Sequence, residues 1–329
     1  MAEQSSHLPD LLSTALKTLA HSFLLAAIAG ALLSGPASHA AQSPAAADPL
    51  VREGTTVKVS DHVYVIPDAS TPGVPNVGII VGSRATLVID TGLGPKNGET
   101  ILREVRKVSR NRKLYLVTTH FHPEHLLGAG AFPPETVVIM ARTQQQDVEE
   151  FGAQTRQTFR ERSAAMAGLL RNAEFPSVDI SFDQSLDMDL GAVTLQIFWA
   201  GPTHTRGDTA IFVDEDKVLF SGDVAMKDAF PAFASPYASV GRWLSSLRRM
   251  KELNPALVVP SHGSMGEASI IDRYSDYLTA VQSGVNALKA QGRSVDEASE
   301  LLTKQLSAQF PTLESQARIA GAVQSAYRD

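Results

Sequence analysis

The chain has 329 residues, 43% of them hydrophobic and 19% charged, with 29 Lys and Arg against 35 Asp and Glu. That balance excludes a disordered chain, which needs low hydrophobicity and high net charge, and a net charge of −6 excludes a basic nucleic-acid footprint. Cysteine is absent, so disulfides, thiolate nucleophiles and Cys-based metal sites are excluded together.

Phe23 to Leu33 is an uncharged apolar run, too short for a membrane-spanning helix, which needs about 20 residues. Ser38-His39-Ala40 follows and supplies the small residues a signal peptidase requires. Residues 1–40 are therefore expected to be a signal peptide cut after Ala40, with a buried amphipathic helix as the alternative. The mature protein would be periplasmic or secreted, with no integral membrane segment. Residues 41–55, rich in Ala, Pro and Ser, are expected to be a flexible lead-in, and 56–329 a single domain.

Four short runs rich in Val, Ile and Tyr come next, Thr56–Ser60, His62–Ile66, Asn76–Val81 and Ala85–Asp90. Asp-His, Pro-Gly and Gly-Ser pairs separate them, which predicts a meander of hairpin-linked strands. Asn97–Ser109 has apolar residues at helical spacing, Lys113–Thr119 and Val137–Met140 are strands, and Thr143–Arg171 reads as one long polar helix. Strands follow at Val193–Trp199, Thr209–Val213 and Lys217–Ser221, then a helix over Val240–Leu253, a strand over Ala256–Pro260, and helices to the end. Two halves with the same order of elements predict an α+β fold, a four-layer αββα sandwich with two sheets face to face and helices outside.

Histidine placement points to the chemistry. Beyond residue 40 the chain holds six His, and five of them sit at strand-end turns: His120, His122, His125, His204 and His262. The sixth, His62, is read as structural. Imidazole is a common ligand for zinc-like ions, and three around one ion leave a position open. In His120-Phe121-His122 the alternate residues of an extended segment face one way, while Glu124 and His125 follow a Pro and can turn towards a second, adjacent ion. Asp90 and Asp223 each close a predicted strand, where an acid serves as a ligand or as a turn residue.

The ordered set Asp90-Thr91-Gly92, His120-x-His122-x-Glu124-His125, His204, Asp223 and Ser261-His262-Gly263 resembles the metallo-β-lactamase superfamily, from about Thr56 to beyond Gly263. The resemblance implies the αββα fold with metals at one sheet edge. It assigns His120, His122 and His204 to a first zinc, Glu124, His125 and His262 to a second, and Asp223 to a bridge between them. Asp90 is implied to orient the ligand loop, and Thr119 and Ser261 stand beside ligands. Glu124 departs from the family's usual Asp. Its extra methylene moves the carboxylate outward by about 1.5 Å, which leaves open a weaker second site or another ion, iron or manganese.

The implied activity is hydrolysis, with a metal-activated hydroxide attacking the carbonyl of a small ester, lactone or thioester. Asp90 and Asp223 are the expected catalytic acids. Lactamases of the family commonly carry Cys or Ser where Asp223 stands, so β-lactam cleavage is the second reading, and a non-catalytic metal-binding protein the third. Arg206 is read as a solvated loop residue or as a cation for a phosphate. Phe230, Phe233 and Tyr237, with Met226, are expected to line an apolar pocket for a small-molecule substrate, or else to pack under the last helices. No nucleic-acid partner is expected.

Overall fold

The computed structural model describes residues 48–329, so the expected signal peptide lies outside the described residues. Of the expected lead-in, residues 48–55 lie against the first helix, α1 (Pro95–Val108). Val51 is buried and donates its N–H to Asn97 Oδ1 at 2.9 Å, and Asn97 Nδ2 donates to the Pro49 carbonyl at 2.9 Å.

The first sheet runs β1 (Val57–Lys58), β2 (Val63–Ile66), β3 (Val77–Val81), β4 (Thr86–Ile89), β5 (Leu114–Val117), β6 (Val137–Ala141) and β7 (Ile180–Phe182), in that spatial order. Its first four strands are an antiparallel meander, and β4 to β7 pair in parallel. The second sheet has the order β12 (Leu257–Pro260), β11 (Val218–Gly222), β10 (Thr209–Val213), β9 (Thr194–Trp199) and β8 (Ser185–Asp189). All its pairings are antiparallel except β11 with β12.

Period-two alternation makes the layers, because successive strand residues face opposite sides. Leu87 and Ile89 of β4 meet Ile211 and Val213 of β10 and Val218 and Phe220 of β11 in the core between the sheets. Val88 faces the other way, onto Ile101 and Val105 of α1. Phe212 and Leu219 face outward from the second sheet onto Trp243 and Leu247 of α6 (Val240–Glu252) and Tyr274 of α7 (Ser269–Ala290). Two further helices, α8 (Val295–Gln309) and α9 (Arg318–Arg328), complete that outer layer. This is the expected αββα sandwich.

The middle of the chain departs from the expectation. The long polar helix is four pieces: α3 (Arg142–Asp147), a π turn (Val148–Gly152), α4 (Ala153–Arg162) and α5 (Ala164–Leu169). The break falls at Ser163, whose extended backbone lets its side chain accept the Met166 N–H as an N-cap. Strands β7 and β8 were not anticipated. Both are edge strands whose exposed residues are polar, so neither reads as a core run. Among the described residues no helix is long and apolar enough to cross a membrane.

Candidate metal centre

Strand ends of both sheets supply the site. The turn after β5 continues into a short helix, α2 (Pro123–Leu126), and carries His120, His122, Glu124 and His125. The second sheet contributes His204 between β9 and β10, Asp223 just past β11 and His262 just past β12. Their ligand atoms fall into three sets, each within 4.8 Å: His120, His122 and His204; His120, His125 and Asp223; and Glu124, His125 and His262. All seven residues expected as ligands are thus brought together.

Hydrogen bonds outside the cluster decide which ring nitrogen faces in. His125 Nδ1 donates to Asp90 Oδ2 at 2.8 Å, His204 Nδ1 to the Ala232 carbonyl at 2.6 Å, and His262 Nδ1 to the Val74 carbonyl at 3.1 Å. His120 Nδ1 lies 3.2 Å from Thr119 Oγ1. Each of these rings turns Nε2 inward, and the bond at Nδ1 fixes its tautomer and orientation. His122 is reversed, with Nδ1 lying 3.0 Å from His120 Nε2 and 3.3 Å from His204 Nε2.

That spacing tests the fit to a metal. Zinc–nitrogen bonds of 2.0–2.1 Å in a tetrahedron hold ligand nitrogens about 3.3–3.4 Å apart. A second observation concerns the other ligands: Glu124 Oε2, His125 Nε2 and Asp223 Oδ1 are buried without a hydrogen-bond partner. An unpartnered buried polar atom is costly unless something coordinates it. Imidazoles and carboxylates converging in this way can hold divalent ions.

Electrostatics favour ligation at His120, His122 and Asp223. Burial, reinforced by neighbouring imidazoles, holds His120 and His122 well below the usual imidazole range, so their lone pairs are available. Burial would raise Asp223, but His204, His262, His125 and His122 outweigh it and bring it to about 2, keeping it ionised. His125 differs: burial opposes its charge, yet Asp90 prevails and raises it to about 9, so ligation at its Nε2 would release a proton.

Asp90 earns its position from the backbone. It closes β4 at φ +66°, a conformation Asp tolerates better than most residues. Its carboxylate accepts the Thr119 N–H at 2.7 Å, the Thr119 hydroxyl at 2.9 Å and His125 Nδ1. It therefore holds the ligand loop at both ends. Thr91 adds to this, donating its hydroxyl to the His125 carbonyl at 2.9 Å and accepting the Gly128 N–H at 3.0 Å. Ser261 lies farther out, 3.5 Å from Asp90.

Sequence reasoning missed the supports that lie outside motifs. Asp208 accepts the Thr205 N–H at 2.8 Å and both Thr203 and Thr205 hydroxyls, which fixes the turn bearing His204. Asn76 donates to the Pro260 and Gly263 carbonyls at 2.9 Å each, and its N–H bonds the Ser261 carbonyl at 2.7 Å, clamping the turn that bears His262. A buried polar residue at the start of a Val/Ile strand was the available signal.

The expected pocket residues are not where the sequence reading put them. A cleft of about 1020 Å³ opens on the ligands, but Phe230, Phe233 and Tyr237 do not line it. Phe230 is fully buried against Tyr277 and Phe233 stacks on Trp243 at 4.8 Å, both under the last helices. Tyr237 donates its hydroxyl to Glu150 at 3.0 Å and covers Arg206. Arg206 itself bonds Asp147 at 3.0 Å and Glu150 at 2.9 Å, so it is neither solvated nor free for a phosphate. The aromatic lining comes instead from Phe121, Phe151 and Phe159, and Met226 does reach the cleft. His62 is structural as read, bonded to Asp216 at 2.8 Å.

With fold and site in hand, the class is plain: the chain belongs to the metallo-beta-lactamase superfamily, whose family model matches residues 70–262. It is 24% identical over 215 residues to a linear primary-alkylsulfatase of Pseudomonas sp. (strain ATCC 19151), covering 56% of this chain but 40% of that protein. It is 28% identical over 218 residues to an acyl-coenzyme A thioesterase of Gallus gallus, covering 62% of this chain and 78% of the relative. Among solved structures, the stereoselective inverting sec-alkylsulfatase Pisa1 from Pseudomonas sp. superposes with a TM-score of 0.64 at 14% identity, covering 83% of this chain and 49% of that one. That likeness is one of fold.

Proposed function

We propose that the protein is a metal-dependent hydrolase, binding a pair of zinc ions and cleaving a small ester, lactone or thioester. The observation that carries this reading is the convergence of three overlapping three-residue donor sets, with three buried ligand atoms lacking any other partner, at the floor of an open cleft. The ions, when bound, supply Lewis acidity, which lowers the pKa of water from 15.7 towards about 7 and polarises a carbonyl.

The chain's own residues do the rest. Asp223 stays ionised at the cleft floor among the ligand imidazoles, where its carboxylate would hold an attacking water in line. The water oxygen bonds the acyl carbon, the bond from that carbon to the leaving oxygen or sulfur breaks, and the proton leaves on the departing group. Asp90 keeps His125 oriented throughout, and the buried turn around Thr119 excludes solvent from behind. Export belongs to the same reading, supported by the apolar run at Phe23–Leu33 and by Ser38-His39-Ala40.

The test is turnover of chromogenic esters, lactones, thioesters and lactams by zinc-reconstituted protein, beside His120→Ala. Hydrolysis of at least one of the first three is expected, falling at least about a thousandfold in the variant, with the far-UV spectrum unchanged. Equal rates in the two proteins would remove His120 from the mechanism.

A further inference from the structure

One wall of the cleft is built as a single helical stripe. Phe151, Gln154, Thr155, Thr158, Phe159 and Arg162 all line the cleft. They recur at i, i+3, i+4, i+7, i+8 and i+11, the spacing of one helix face. Phe159 is the one residue of α4 that is buried, so the helix is a projecting wall rather than a core element.

Arg162 ends the stripe. Its guanidinium carbon lies 3.6 Å from the centre of the Phe159 ring, and that ring lies 6.2 Å from the His122 ring. Arg162 is thus no farther from the ligand cluster than those two spans laid end to end. Stacking on an aromatic face holds a guanidinium in place while leaving its N–H fork free in the plane. Among the described residues no carboxylate lies within ion-pair distance of Arg162, whereas Arg206 has two. Arg318, the other cation lining the cleft, is tied to the Phe230 carbonyl at 3.0 Å.

We propose that Arg162 is a substrate-binding residue that pairs with a carboxylate carried by the substrate, separated from the bond to be cleaved by an apolar spacer lying on Phe121, Phe151 and Phe159. The substrate class is then the monoester of a dicarboxylic acid, or its thioester or lactone equivalent. A planar guanidinium fork matches a carboxylate with two parallel hydrogen bonds, and the aromatic lining of the same wall offers an apolar spacer its surface. This rests on the hydrolase reading above.

The experiment compares mono-4-nitrophenyl adipate with its neutral methyl-capped diester on zinc-loaded protein. In the wild type kcat/KM is expected to favour the anionic ester at least tenfold, mainly through KM. Arg162→Gln should lower that ratio at least tenfold, and Arg162→Lys should restore part of it. Adipate titrated calorimetrically into metal-free protein gives a readout apart from turnover, and Arg162→Gln should weaken it at least fivefold. No preference in the wild type, or an equal loss for both esters in Arg162→Gln, overturns the carboxylate site while leaving the hydrolase intact. Arg162-dependent adipate binding with neither ester cleaved supports the carboxylate site and removes esters from the substrates of the hydrolase.

Discussion

Asn76 belongs to no motif, yet its side chain uses both amide donors and its oxygen. Its amide donates to Pro260 and Gly263, and its oxygen accepts the Asp68 N–H at 2.9 Å, while Asp68 accepts the Gly263 N–H at 2.8 Å. The clamp ties the β2–β3 loop of one sheet to the turn of the other sheet that presents His262. Loss of such an outer partner typically costs 10–100-fold in metal affinity. Asn76→Ala is therefore expected to weaken one of two zinc equivalents by about that factor in a chelator competition, leaving the His120, His122 and His204 set within threefold. Equal weakening of both would mean a general loosening rather than a clamp. The ligands themselves were legible because five of the six His beyond residue 40 gather at strand-end turns and fall in an ordered set of motifs, whereas Phe230 and Phe233 were not. An apolar residue in a loop before core-covering helices looks the same whether it faces a pocket or the core.

At the scale of elements, the ligand loop is seated by close backbone approach. A Cβ on Gly98 of α1 would fall 2.1 Å from the Gly128 carbonyl oxygen, and one on Gly128 would fall 1.9 Å from the Thr91 carbonyl oxygen. These two glycines let α1 and the Asp90-Thr91 turn press directly on the segment after His125. Alanine has the better helix propensity, by about 1 kcal/mol, so propensity alone favours Gly98→Ala. The contact with backbone cannot be relieved by a rotamer change, and overpacking of this kind costs about 1–3 kcal/mol or more. Net destabilisation in urea is expected, and a stabilised variant would show that α1 can shift without cost. Core strands such as β10 were legible from their Val and Ile content. The breaks within 142–169 and the edge strands β7 and β8 were not, because a polar edge carries weak periodicity and the π turn has no sequence signature of its own.

At the scale of the whole molecule, the centre lies across the seam of the sandwich. The first sheet's end supplies His120, His122, Glu124 and His125, and the second supplies His204, Asp223 and His262. Each donor set within ligand reach draws on both sheets, so binding is coupled to the packing of Leu87, Ile89, Ile211 and Phe220 at the interface. The αββα order was legible from strand and helix succession, since few layer arrangements bury two such sheets. The partnership of distant turns was legible only through the resemblance of the ordered motifs. The most direct test is the zinc content of the intact folded protein by native mass spectrometry, for the wild type, His120→Ala and His262→Ala. Two equivalents in the wild type and one in each variant is the expected result, whereas two equivalents retained in both variants, or none in the wild type, would contradict a paired centre built from both sheets.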